Sequence, residues 1–193
     1  MRLVIPEEQW AEMLARFAQQ KPGDERIGYL DGFISNDLAV VTTVTIPEAE
    51  CTPRYYTVKA EHMSEAGGHL RRFGMRRLAQ VHTHGGADTT ASRRDEQLAY
   101  SQRPGALSII LPFHAAQQPS PTSGSVNLRA DDGWKRLTTQ DAEESVLVVP
   151  SILDFRRQTW NESRHGMMVT LAAVFGRRMK LARRVFRSRS LKT

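Results

Sequence analysis

The sequence predicts an α/β or α+β protein, with a central mixed sheet flanked by helices. Three observations lead there. Apolar residues come first at helical spacing, then in β-branched runs, then at helical spacing again, giving an αββ(β)αβαβ element order. The chain has 193 residues, 40% hydrophobic and 25% charged, which suffices for one buried core and argues against disorder. A single cysteine, Cys51, leaves no disulfide framework and no cysteine-rich zinc or iron–sulfur site. A (β/α)₈ barrel is excluded by length, since it needs roughly 250 residues.

Each element has its own signal. Arg2 to Ile5 is a short strand. Pro6 opens a helix that places Trp10, Met13, Leu14 and Phe17 on one face, and Lys21-Pro-Gly-Asp stops it. Arg26–Ser35 and Leu38–Ile46, rich in apolar and β-branched residues, form a hairpin turning at Asn36-Asp37. Pro47–Pro53 is a loop that holds Cys51, and Tyr55–Val58 a strand. Ala60–Phe73 is a helix closed by Gly74. Arg77–Thr83 is a strand, Gly85–Ala91 a polar loop and Ser92–Ser101 a helix that ends at Arg103-Pro104-Gly105. Ala106–Leu111 is a buried strand and Gln117–Gly124 a loop. Ser125–Arg129, Trp134–Thr138 and Ser145–Val149 are late strands.

The chain divides into a domain over 1–150 and, over 151–193, a linker with a basic C-terminal helix. Met168, Leu171, Phe175, Met179, Ala182 and Phe186 make one helical stripe. The net charge of +6 is concentrated there: Arg177–Thr193 holds eight Lys or Arg and no acid, and the remainder carries a net −2. A nucleic-acid binder that uses its whole surface would not be built this way. The tail reads as a helix packed on its own domain or on a second copy. As a functional element it would contact an anionic membrane, a nucleic acid or an acidic partner. The N-terminus meets acids before any apolar targeting core. The longest nearly apolar run, Met167–Phe175, is nine residues, against about 20 for a membrane span. These features predict a soluble, cytoplasmic protein without a transmembrane segment.

The chemistry is concentrated in Val81-His82-Thr-His84-Gly-Gly-Ala-Asp-Thr-Thr-Ala-Ser92-Arg-Arg-Asp95. On an extended strand residues i and i+2 share a face, so His82 and His84 can converge on one ion. Gly85-Gly86 lets the chain fold back, and Asp95, on the first turn of the next helix, can add an oxygen. Two imidazoles and one carboxylate with an open fourth position match catalytic rather than structural zinc. Each part also has a plain structural reading: Ser92-x-x-Asp95 is a capping-box pattern, the glycines a turn, and His-x-His alone a weak signal. Other His-x-His sites fit less well. Gly86 and Ala87 stand where a metallo-β-lactamase needs Asp and His, and a cupin's early Glu is absent before Glu96. His62, His69, His114 and His165 show no ligand spacing and read as surface or core residues.

The spacing His82-x-His84-x₇-Ser92-x-x-Asp95 resembles the signature of the JAMM metalloproteases, the catalytic MPN-domain proteins. Glu25-Arg-Ile-Gly28-Tyr-Leu30-Asp-Gly32 is similar to their upstream Glu-x-x-Gly-x-Leu-x-Gly segment. The likeness covers roughly residues 1–149, and the short loops near 47–54 and 115–124 are closest to compact bacterial members. It implies an MPN/JAMM-like fold. It also implies Zn²⁺ held by His82, His84 and Asp95, Glu25 as general base and Ser92 as hydrogen-bond donor to the oxyanion. The implied activity is an isopeptidase or peptidase cutting after the C-terminus of a ubiquitin-like modifier, in a conjugation pathway with E1-like and E2-like partner enzymes. A processing protease that exposes the Gly-Gly end of a sulfur-carrier protein uses the same site. A non-catalytic MPN-type scaffold typically lacks one of these five residues, and all five are present. The sequence departs from the family at Gly85, where proline is usual, which leaves the loop looser. Asp154-Phe-Arg-Arg-Gln158 is similar to the start of E1-like adenylation domains, but no glycine-rich nucleotide loop follows.

Overall fold

The computed structural model describes residues 1–153. β1 (Arg2–Pro6) turns Leu3 and Ile5 inward and leads directly into α1 (Glu7–Ala18). Glu7 and Glu8 in its first turn complement the helix dipole, and Trp10, Met13, Leu14 and Phe17 are its buried face. β2 (Ile27–Ser35) and β3 (Leu38–Thr45) form the expected hairpin, with Asn36 in the left-handed conformation at φ 55°. α2 (Ala60–Arg72) is closed by Gly74 at φ 66°. β6 (Arg76–Thr83) and β7 (Leu107–Leu111) pair in parallel, Val81 beside Ile109 and His82 beside Ile110.

β8 (Ser125–Ala130), β9 (Gly133–Arg136) and β10 (Val146–Val149) complete an eight-stranded mixed sheet in the order β10-β1-β3-β2-β6-β7-β8-β9. The core joins α1 to Leu30, Val41, Val81 and Ile109. A second cluster, Ile27, Tyr29 and Tyr56, gathers Cys51, Val58, Met63 and Tyr100 around it. Met1–Ile152 forms one compact unit. Among the described residues no helix is long and apolar enough to cross a membrane.

Three elements differ from expectation. The segment read as a loop over Pro47–Pro53 contains β4 (Ala49–Cys51), paired with β5 (Tyr56–Val58) in a separate two-stranded sheet. Thr52 closes the turn, its N–H and the Tyr55 carbonyl 2.9 Å apart and its hydroxyl accepting from the Tyr55 N–H at 3.1 Å. The helix expected over Ser92–Ser101 is only α3 (Arg93–Gln97). Tyr100 ends it early, its N–H donating to Gln80 Oε1 (3.0 Å) and its hydroxyl to the Leu78 carbonyl (2.9 Å), which draws the chain onto the sheet. α4 (Thr139–Ser145) was not anticipated, although Thr138 caps it through the Asp141 N–H in the pattern read at Ser92. The basic helix expected from His165 onward and the 154–158 segment lie outside the described residues.

Candidate metal centre

His82 and His84 straddle the carboxyl end of β6. His82 is fully buried, its ring 5.1 Å from that of Tyr56. His84 is anchored by its backbone: its N–H donates to the Leu111 carbonyl at 2.9 Å, and its carbonyl accepts the His114 N–H at 2.8 Å. Its Nδ1 lies 2.9 Å from the Asp88 carbonyl. A carbonyl can only accept, so Nδ1 carries the proton and Nε2 is left with a free lone pair.

Asp95 arrives from the first turn of α3, held by a capping box. The Ser92 N–H donates to Asp95 Oδ2 (2.7 Å), and the Asp95 N–H donates to Ser92 Oγ (3.2 Å). This fixes the carboxylate with one oxygen toward each histidine: Oδ1 is 3.4 Å from His82 Nε2 and Oδ2 3.6 Å from His84 Nε2. One ligand atom from each residue lies within 4.8 Å of the other two.

These separations are long for hydrogen bonds but suit an ion between the groups. Ligands about 2.0–2.1 Å from a tetrahedral zinc are about 3.3–3.4 Å from one another. Among the described residues neither ring nitrogen of buried His82 has a hydrogen-bond partner. Burying an imidazole in this way is costly unless something takes up its lone pair. The donor set, two imidazole nitrogens and a carboxylate, is one that zinc accepts.

The electrostatics agree. Burial lowers the His82 pKa, against the pull of Asp95, so it favours the neutral ligand form. Burial pushes Asp95 upward, but the approach of His82 and His84 and the Ser92 cap outweigh it and hold the carboxyl well below its usual range. His84 is raised by its closeness to Asp95, with burial opposing. Asp95 thus offers an anion and His82 a ring lone pair to a cation, whereas His84, when protonated, must give up a proton to bind one.

Glu25 lies two residues before β2 and is buried. Its N–H donates to the Thr52 carbonyl at 2.8 Å, so the β4–β5 turn holds it. Burial raises its pKa, the positive potential of His84 lowers it, and Asp95 raises it again. It therefore belongs to the same electrostatic cluster as the three ligand candidates. Ser92 is exposed; its oxygen accepts from the Asp95 N–H, which leaves its own proton free to donate.

The glycines of the Glu25 segment are structural. A Cβ on Gly28 would lie 3.1–3.2 Å from Ile46, Met13 and Phe17, where α1 packs on β2. A Cβ on Gly32 would meet the Val40 carbonyl oxygen at 2.0 Å, beside the β-bulge at Asp31/Gly32.

Of the five residues singled out in the sequence, the structure brings His82, His84 and Asp95 together, joins Ser92 to Asp95 through the capping box, and relates Glu25 to them through its charge interactions with His84 and Asp95. The supporting shell was not legible. Tyr56 lies against His82 and accepts a hydrogen bond from Gln80 Nε2 at 3.0 Å, and Gln80 in turn holds Tyr100. Arg94 stacks on Tyr55 at 4.4 Å and donates to Thr57 Oγ1 at 3.2 Å, tying α3 to the β4–β5 pair. His114, read as a surface or core residue, packs against Gly85 beside His84.

No family model and no curated protein matches the chain. The solution structure of protein DSY2949 from Desulfitobacterium hafniense is similar, with a TM-score of 0.59 and 22% identity over 78% of this chain and 94% of that one. At that identity the likeness is one of fold.

Proposed function

We propose that the chain is a zinc-dependent peptidase or isopeptidase of the JAMM/MPN type that acts at the C-terminal tail of a ubiquitin-like or sulfur-carrier modifier. The observation that carries this reading is the convergence of His82, His84 and Asp95 at ion-binding separations, with buried Glu25 feeling the charges of His84 and Asp95. His82, His84 and Asp95 would hold the zinc, which when bound would supply a water with a pKa of about 7 and a Lewis acid for the scissile carbonyl. Glu25, with its raised pKa, takes a proton from the attacking water and delivers it to the leaving amine. Ser92, with a free hydroxyl proton, donates to the oxygen that gains negative charge. Arg94 and the β4–β5 turn hold α3 and Glu25 in position.

The test uses purified protein with elemental analysis and two substrates: a β-grasp modifier extended by a peptide beyond its Gly-Gly end, and the same modifier in isopeptide linkage to lysine. One zinc per chain, with cleavage after Gly-Gly that Glu25→Ala abolishes, supports the reading. Metal content unchanged in His82→Ala/His84→Ala would sink the site assignment, and an intact pair of substrates with a zinc-loaded protein would sink the substrate class.

A further inference from the structure

The turn after β7 has an unusual backbone. Phe113, His114 and Ala115 lie at φ 51°, 54° and 58°, three consecutive left-handed residues, none of them glycine. Such conformations are unfavourable for L-residues and persist only where the surroundings enforce them. Here the enforcing contacts go to the metal-ligand loop. The His114 N–H donates to the His84 carbonyl at 2.8 Å and the Phe113 N–H to the Gly86 carbonyl at 3.1 Å. The buried guanidinium of Arg26, next to Glu25, donates to the His114 carbonyl. Arg26 is itself tied to β6, its N–H donating to Thr83 Oγ1 and its carbonyl accepting the Thr83 N–H, both at 3.0 Å.

The His114 side chain completes this arrangement. Its Nε2 lies 3.0 Å, and its Cε1 3.2 Å, from where a Cβ on residue 85 would stand. A side chain at position 85 would crowd the imidazole, which would have to give by a few tenths of an ångström. A glycine pair directly after a ligand would otherwise leave that ligand on a loose tether.

We propose that His114 is a positioning residue for the metal centre: it packs on Gly85 and, through the strained turn, holds His84 in the geometry that binds the ion. The inference rests on the zinc reading above. Contacts that fix the orientation of a metal ligand are worth about 10–100-fold in metal affinity.

The experiment measures zinc affinity by competition with a chromophoric chelator, on the full chain, together with the Tm of the metal-free protein. His114→Gly removes the imidazole and suits the left-handed backbone, so its metal-free Tm should equal or exceed wild type. Its zinc affinity should fall about 10-fold or more. Gly85→Ala should also bind zinc more weakly, because its methyl group meets the imidazole. Gly85→Ala/His114→Gly should bind better than Gly85→Ala alone, since the obstruction is gone; such non-additivity is the mark of a direct contact. Wild type that binds zinc tightly, with His114→Gly equal to it, overturns the clamp and leaves the zinc reading standing. Strictly additive losses also overturn it. Wild type that takes up no zinc overturns both.

Discussion

Zinc should stabilise this protein by an amount that can be worked out beforehand. His82 is fully buried, among the described residues neither of its ring nitrogens has a partner, and the Asp95 carboxylate lies 3.4 Å from His82 Nε2 and 3.6 Å from His84 Nε2. An ion that binds the folded form alone adds RT ln(1 + [Zn]/Kd), about 2.7 kcal/mol at a free zinc concentration of 100 Kd. For a chain in the 150–250-residue range each kcal/mol moves Tm by about 2–4 °C. Calorimetry of chelator-stripped protein, before and after zinc is restored, should therefore show a rise of about 5–11 °C. Zinc bound by His82 and His84 in the unfolded chain would reduce this figure.

The increment should shrink as pH falls. The His84 pKa is raised, so protons compete with the ion as pH falls through its folded value, which lies above the ordinary 6.5. The metal-free baseline is a poorer reporter. The raised His84 contributes stability that is full below about pH 6.5 and is lost as pH rises through its folded pKa. His82, lowered from the same value, resists protonation in the fold and acts in the opposite direction. Asp95 contributes above its ordinary 3.8 and loses that contribution only as pH falls through its lower folded value. A zinc increment that is absent, or that survives unchanged in His82→Ala, would refute the argument.

Four further outcomes are expected. Glu25→Ala should keep one zinc per chain and lose about 10²–10⁴-fold in turnover, because acid–base groups contribute that much; loss of zinc in this variant would make Glu25 a ligand. Ser92→Ala should do two things at once, lowering Tm by the loss of an N-cap worth about 1 kcal/mol and lowering kcat by about 10²–10³-fold, with Asp95 less well fixed; unchanged kcat with lowered Tm would reduce Ser92 to a cap. Gly32→Ala should destabilise far more than Gly28→Ala, since its Cβ meets a backbone carbonyl at 2.0 Å whereas that of Gly28 meets movable side chains at 3.1–3.2 Å; denaturant midpoints of equal size would contradict this. Replacing Arg183, Arg184, Arg187 and Arg189 with Gln should leave turnover of a small modifier fusion nearly unchanged while weakening binding to anionic vesicles or nucleic acid; lost turnover with zinc and fold intact would place the tail in the substrate site.

The residues of the candidate site were legible because their spacing is local. His82, His84, Ser92 and Asp95 fall within 14 positions, and a strand end followed by a capped helix converts that spacing directly into geometry. Long strands and α1 were equally clear, since period-2 and period-3.6 patterns show in the residues themselves. What was hidden depends on contacts remote in sequence. Tyr100 shortens α3 through Gln80, twenty positions away, and β4 exists only because β5 pairs with it. His114 reaches Gly85 from another strand's end, with no His spacing to mark it.

The same division has a consequence for the order in which the protein matures. The ligand trio can meet an ion within one short stretch of chain, whose closure entropy is small. Glu25 and Arg26 reach it only when Ile27 registers with His82 across β2 and β6, a separation of 55 residues. On the function proposed above, a nascent or partly unfolded chain would therefore load metal before it has a base beside it. Metal capture and hydrolytic competence would then be separate events, the second waiting on the closing of the central sheet. A chain that carried zinc but had not finished folding would be inert toward the peptide bonds around it.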